Sequence, residues 1–560
     1  MMNRSLLNLG LVVSLMTAFV SGCSESSSPP VQSPSPSPQP QQLVARLHWL
    51  GMKRLATESN ATNFMAIWSA PESAKLEAQT LDKLSTAPWR LLQTATPLSN
   101  APTALLRPLL DDLMQEESYV EVRAATNQPG ELILAIRLDA RRAALWQTNL
   151  PTILKSLLPT QSPDATPLTP SAEYRLQTSA RSLALSRAGN WTLLSVSDLL
   201  LNAQESSMLA NFRDRIQRND TPIPTRATNY WLEAEMDALR FNEVAGLEWK
   251  LPASFPQISL TVTGDGQNVR TRGELNFNQP LPASLEPWRV PLNLTAEPLT
   301  GLTVMRSVTP LLERLGILSP DEAQGFPGQF LVWLRSGPPL QIYFAYPTPD
   351  ATTAFHKLAV PVMDWVNSHS DPRRYGAIVR APHSNELKWT GLSLCSPFLQ
   401  AGTNGGNQYL QGGFGLTPPG KVRLPTELHD HITQATNLVY FDWDFTAETL
   451  PQWRYLDDVS RMIFDEAHAS RLRAATTSIE WLLSNVTNLS HSVTEIRQSN
   501  ATQLVLTRKS TLGLSAVELD ILFNWIELPN FPSGMSTLWR TNPAPFVPVR
   551  LTTPRAIPAR

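Results

Sequence analysis

The chain has 560 residues, of which 17% are charged and 42% hydrophobic, and its formal net charge is −2. Soluble domains average about 25% charged residues, so this chain is charge-poor, and its near-neutrality offers no global basic surface to nucleic acid. Two cysteines exclude a disulfide framework and a multi-cysteine zinc domain, while the length allows several domains with large cores.

The amino terminus opens with one positive charge at Arg4, and Leu6 to Val20 is apolar apart from Asn8, Ser14 and Thr17. This run is shorter than the roughly 20 residues of a membrane-spanning helix and has the length of a signal-peptide core. It ends in Val20-Ser21-Gly22-Cys23, an apolar residue, two small ones and a cysteine. That motif resembles the lipobox of bacterial lipoproteins. The resemblance implies that residues 1–22 are removed and that Cys23 becomes an acylated first residue, with diacylglycerol on its sulfur and palmitate-type acyl chains. Two or three chains anchor stably where one does not. By the same resemblance, Ser24 in place of Asp favours the outer membrane and a body outside the cytoplasm. Ser24 to Gln42, SESSSPPVQSPSPSPQPQQ, has no apolar run. It reads as an extended tether reaching up to ~60 Å at about 3.1 Å per residue.

The body begins with Leu43 to Ser59, where Leu43, Leu47, Leu50 and Leu55 have helical spacing. Phe64 to Trp68 reads as a strand, and Pro71 opens a helix through about Leu84. Helices are expected over Leu105 to Glu117 and Leu145 to Leu158, with kinks or breaks at Pro108 and Pro151. Tyr119 to Thr126, Glu131 to Leu138, Arg181 to Arg187 and Trp191 to Val196 read as strands. Ile258 to Val262 and Val269 to Phe277 form a hairpin about Gly264-Asp265-Gly266, and Val493 to Ile496 with Leu504 to Arg508 forms another. Gly402 to Gly415 reads as a flexible loop, and Leu392 to Cys395 as an apolar strand-like run with a buried, inert thiol.

Two echoes organise this series. Glu131 to Leu138 is followed by Asp139-Ala-Arg-Arg-Ala143, and Leu340 to Tyr346 by Asp350-Ala-Thr-Thr-Ala354. Each is a strand and then D-A-x-x-A opening a helix, with Asp suited to cap it. Ala227-Thr-Asn229 recurs as Ala435-Thr-Asn437, also before a strand. The offsets, 211 and 208 residues, indicate a tandem duplication. The expected plan is α+β, two similar units each with an antiparallel sheet packed by helices: residues 43–290 and 291–540, joined through proline-rich Asn278 to Pro298. A proline-rich tail follows at 541–560. This plan loosely resembles uncharacterised tandem-repeat envelope proteins of bacteria, a resemblance that carries no activity.

Chemistry has few candidates. Gly415 to Val422 matches G-x-x-x-x-G-K but ends in Val where magnesium binding needs Ser or Thr, and Pro418 and Pro419 supply no amides. His429 and His431 lie on a helical pattern that points them apart. Glu233, Glu235 and Asp237 share one strand face, and Asp442 and Asp444 share a face of a strand in the corresponding place. Residues two apart sit about 7 Å from each other, near glycosidase carboxylate spacing, and a cation is a second possible occupant. The apolar alternates, such as Phe441-Trp443-Phe445, mark these strands as half-solvated, with the carboxylates outward. Trp146, Trp231, Trp333, Trp365 and Trp481 read as core. No catalytic set, metal site or cofactor is expected. The leading reading is a lipid-anchored envelope protein acting as a non-catalytic binding or scaffolding module, with an envelope protein, glycan or lipid as partner. The alternatives are a carrier of lipid or another apolar ligand, and an extracytoplasmic hydrolase using the strand carboxylates.

Overall fold

Short runs rich in β-branched, aliphatic and aromatic residues fold as strands, and among the described residues nineteen of them join in one sheet. The computed structural model describes residues 41–91, 98–125, 130–157, 174–177, 181–198, 207–224, 230–245, 251–281, 285–291, 298–315, 327–337, 341–380, 384–391, 396–404, 406–415, 424–464 and 476–534. In chain order the strands are β1 (Gln42–Trp49), β2 (Ser118–Ala124), β3 (Glu131–Arg137), β4 (Tyr174–Gln177), β5 (Arg181–Ala188), β6 (Trp191–Asp198), β7 (Leu232–Asp237), β8 (Gln257–Gly264) and β9 (Val269–Asn276). They continue with β10 (Leu299–Arg306), β11 (Gln329–Arg335), β12 (Gln341–Pro347), β13 (Ala377–Arg380), β14 (Glu386–Thr390), β15 (Ser396–Asn404), β16 (Asn407–Gly415), β17 (Leu438–Phe445), β18 (His491–Asn500) and β19 (Gln503–Ser510). Every pairing is antiparallel, and their order across the sheet is β4-β5-β6-β3-β2-β1-β7-β8-β9-β19-β18-β17-β10-β11-β12-β16-β15-β14-β13. The protein is therefore α+β, as its sequence implies.

The middle of this sheet is the pairing of β9 with β19, in which Val269 to Asn276 oppose Ser510 to Gln503. Val269, Thr271, Gly273, Leu506 and Arg508 are buried there, while Arg270, Arg272, Thr507 and Lys509 on the other face are exposed. Helices from both ends of the chain cover the buried face. Pro71–Leu91, Thr103–Gln115 and Ala140–Leu157 meet Thr446–Phe464, Thr477–Asn485 and Ala516–Glu527, and one core cluster holds Leu84, Trp146, Leu450, Trp481 and Phe523 together. On the opposite face, helix Ser207–Asn219 packs Phe212 against Tyr119 and Trp191, and helix Thr426–Gln434 packs Ile432 against Val304 and Phe441. Sheet and core thus run across residue 290 without a break.

Local chemistry sets several boundaries as expected. Pro71 is the first residue of its helix. Asp139 accepts a hydrogen bond from Arg142 N at 2.8 Å and Asp350 from Thr353 N at 3.0 Å, so both aspartates cap the helices that follow them. The described part of Asn278 to Pro298 forms neither helix nor strand. It is tied down through Leu281, whose N donates to Ala501 O at 2.6 Å, and through Trp288 beneath the Arg306 guanidinium.

Other expectations are corrected. Leu43 to Ser59 begins as strand β1, not a helix. β1 lies between β2 and β7 with Val44 and Leu47 buried, and a strand buried on both faces loses the alternation that would reveal it. Phe64 to Trp68 belongs to helix Thr62–Trp68, which buries Phe64 and Ile67 three residues apart. Helices continue through Pro108 and Pro151. Gly402 to Gly415 forms part of the β15–β16 hairpin rather than a loop. Its glycines admit neighbours: a Cβ on Gly412 would stand 2.7 Å from the Phe344 ring, and one on Gly413 2.3 Å from Ile342 O. Trp146, Trp231, Trp333 and Trp481 are buried, but Trp365 is 36% exposed and stacks on His369.

Because one core joins both ends, damage at one end should reach the other. Leu84→Ala should cost about 2–5 kcal/mol and reduce hydrogen-exchange protection in Ala516–Glu527 as well as in Pro71–Leu91. Loss of protection confined to residues 41–277 would show two independent bodies.

Candidate functional site

The five carboxylates occupy two unlike environments. On β7, Glu235 lies opposite Arg46 of β1, whose Nη2 reaches Glu235 Oε2 at 2.9 Å and Glu233 Oε1 at 3.5 Å. Asp237 caps the next helix, accepting from Arg240 N at 3.1 Å. The register leads from Glu233 through Thr261, Arg272, Thr507 and Glu495 to Phe441. Asp442 and Asp444 therefore point to the opposite face, beneath the helices. Five strand spacings, about 24 Å at ~4.8 Å each, separate β7 from β17. The two sets do not converge.

Asp442 and Asp444 are buried, not solvated, and this corrects the half-solvated reading of β17. The apolar alternates were a poor guide because this face of the sheet changes from apolar to polar at its centre. A row of opposed residues, Thr271, Arg508, Thr494, Asp442 and Thr303, crosses five strands under the helix layer. Thr303 Oγ1 donates to Asp442 at 2.6 Å. Arg508 donates to Thr494 Oγ1 at 2.7 Å and to Glu518 Oε1 at 2.9 Å. Asp444 accepts from Thr446 Oγ1 at 2.6 Å, Thr449 Oγ1 at 3.3 Å and Ala516 N at 3.3 Å. Burial, then the Asp444 charge, pushes the Asp442 carboxyl up to about 7. Burial also raises Asp444, against the pull of its three donors. The buried hydroxyls of Thr271, Ser492 and Ser510 have no hydrogen-bond partner. This layer is interior ionic structure: Asp444 is saturated by donors, and Arg508 is committed to Glu518.

His429 and His431 lie on helix Thr426–Gln434, with His431 Nε2 2.7 Å from Glu495 and His429 beside Asp430. Among the described residues no group of three or more His, Cys, Asp or Glu is arranged to hold a metal. Cys23 and its motif, residues 24–40 of the expected tether, Cys395 and residues 416–422 lie outside the described residues, whereas Gln42, expected to end the tether, is the first residue of β1. A buried cluster that the sequence did not reveal surrounds His48, whose ring nitrogens lie 3.1 Å from Glu117 and from the Tyr230 hydroxyl. Burial opposes ionisation of Glu117, but hydrogen bonding to His48 and nearby positive charge hold it below the usual range.

A recess lined by described residues lies elsewhere. A pocket of about 80 Å³ lies between helices Thr62–Trp68 and Pro71–Leu91 on one side and Thr477–Asn485 and Ala516–Glu527 on the other. Phe64, Trp68, Leu76, Trp481, Leu522 and Phe523 form most of its wall. Its hydroxyls are turned inward to the protein. Ser73 Oγ donates to Ile67 O and accepts from Trp481 Nε1, each at 2.7 Å, and Thr80 Oγ1 donates to Leu76 O at 2.7 Å. Glu77 is the one ionisable group in the wall; burial, then Asp111, raises its pKa against Arg107 and hydrogen bonds from Gln115 and Trp68. The wall offered to a guest is aromatic and aliphatic side chains, with Glu77 among them. Its residues are about 400 positions apart in sequence, which is why no local pattern announced it.

The chain matches no family model, no curated protein and no solved structure.

The ionic layer makes a signed prediction. Below the ordinary carboxylate range, folded and unfolded chains both carry the Asp442 proton. From there to about 7 only the folded chain keeps it, so this group lowers stability as pH rises, with the full loss present above the folded pKa. Asp442→Asn should leave stability at about pH 4 little changed and raise it at about pH 8 by on the order of 2–4 kcal/mol, with Thr303 still donating to the amide oxygen. Denaturant melts across pH measure this; an equal change at both pH values would contradict it.

Proposed function

We propose that the chain is a lipid-anchored envelope protein whose body is a non-catalytic binding module. Cys23 carries the lipid, Ser24 to Gln42 spaces the body from the outer membrane, and the body binds its ligand outside the cytoplasm. The observation that carries the binding reading is the aromatic pocket between helices from the two ends of the chain, its hydroxyls already satisfied within the protein. The carboxylates favour no hydrolase: Glu233 and Glu235 share the Arg46 guanidinium, and Asp442 and Asp444 lie beneath helices.

The body reads further as two copies of one strand order. From outside to centre, β4-β5-β6-β3-β2-β1-β7-β8-β9 matches β14-β15-β16-β12-β11-β10-β17-β18-β19, with β13 added at one edge. The aspartate caps at Asp139 and Asp350 occupy the same place in both series.

Two measurements test the function. Cys23→Ser should abolish incorporation of labelled palmitate and move the protein from the membrane to the soluble fraction; unchanged labelling would overturn the anchor. Native mass spectrometry of the full chain from its own host should show a discrete extra mass that disappears on denaturation and on filling the pocket with Leu76→Trp. A bound mass that survives the filled pocket would place the ligand elsewhere.

A further inference from the structure

The pocket combines two features that together select a ligand class. Phe64 stacks on Trp68 at 5.8 Å, and Trp481 packs on Phe523 at 5.1 Å, so aromatic pairs from both ends of the chain meet at one recess. Ring faces carry negative electrostatic potential and attract cations, most strongly when water is excluded. Beside them stands Glu77, and its surroundings are unbalanced. Arg107 Nε bonds Asp82 at 2.9 Å and Arg107 Nη1 bonds Asp111, so one guanidinium serves three carboxylates. An apolar neutral guest would use the rings and leave this negative charge uncompensated. An alkylammonium shell matches both, its methyl groups against the rings and its charge towards Glu77. The volume, about 80 Å³, is about half of the ~150 Å³ cavity that accepts benzene, so the recess takes one small group, such as a methylated ammonium head with the rest of its molecule outside, rather than a folded acyl chain.

We propose that this pocket binds a small organic cation of the methylated-ammonium class, held by Phe64, Trp68, Trp481 and Phe523 and charge-paired with Glu77. This deepens the binding-module reading and rests on it. Trp68 and Glu77 both line the recess, which places the ring beside the carboxylate's residue.

The test titrates the full-length protein with tetramethylammonium and with choline, following tryptophan fluorescence and heat, beside the neutral tert-butyl isostere of choline. Both cations should saturate one site, and the isostere should bind at least tenfold more weakly. Glu77→Gln retains an acceptor for Trp68 and Gln115 and should weaken cation binding tenfold or more while leaving the isostere unchanged. Trp68→Leu keeps the wall apolar and should have the same selective effect, with the thermal midpoint confirming the fold of each variant. A short-chain phosphocholine lipid below its micelle threshold distinguishes the source: tighter binding than choline assigns the cation to a lipid headgroup, weaker binding to a free solute. Equal binding of cation and isostere, unaffected by Glu77→Gln, would overturn the cation proposal and leave the apolar pocket standing. No binding of any probe, with the native mass also free of ligand, would overturn both.

Discussion

The pairing of β9 with β19 governs the rest of the molecule. Each strand ends its half of the chain's sheet, and eight opposed residues fuse the halves into one surface. An antiparallel register cannot slip by one residue without exchanging every side chain between faces. Once Leu506 and Gly273 face the helices, Arg508 and Thr271 must do so too, and the charge of Arg508 has to be met inside. Glu518 meets it from helix Ala516–Glu527, just beyond β19. The same helix and the turn that follows it then reach the first half of the chain. Lys83 Nζ donates to Ile526 O at 2.6 Å, Gln79 Nε2 to Glu527 at 2.8 Å and Arg90 Nη2 to Phe531 O at 2.7 Å. The pocket is a consequence of that docking, since both partners contribute to its wall.

How much of this was legible depended on the range of the interaction. Features decided within a few residues could be read: Pro71 at a helix start, Asp139 and Asp350 as caps, and the alternation that makes β8 and β9 a hairpin. Features decided by the sheet as a whole could not. β1 lost its alternation because both its faces are covered, and the glycines of β16 looked like loop residues although they serve the approach of Phe344 and Ile342. The carboxylates illustrate the limit best. Glu233 and Asp442 looked alike as acidic positions on alternating strands, yet the register assigns one to Arg46 and solvent and the other to the interior. A single strand's pattern identifies two faces but not which of them the helices will cover.

The two polar regions of the helix-covered side differ in chemical availability. In the layer around Asp442 and Asp444, donors from Thr303, Thr446, Thr449 and Ala516 are already spent on the carboxylates. That arrangement fixes register and carries a proton-dependent stability, but leaves little free to act on a ligand. At the pocket the hydroxyls are satisfied locally, and Glu77 faces an apolar recess beside aromatic rings. The pocket is thus the part of this side with polar groups not already committed to the sheet, which is why the proposed binding is placed there.

A cross-strand disulfide tests the β9–β19 seam directly. Arg270 and Lys509 are directly opposed on the exposed face, where opposed Cα atoms lie about 4.5–5.5 Å apart, within disulfide reach. In full-length protein carrying Arg270→Cys, Lys509→Cys and Cys395→Ser, mild oxidation should link positions 270 and 509 within one molecule, seen as a single crosslinked peptide by mass spectrometry, with the fold retained. Two thiols that stay free, or that link only between molecules, would contradict the continuous sheet and with it the shared pocket.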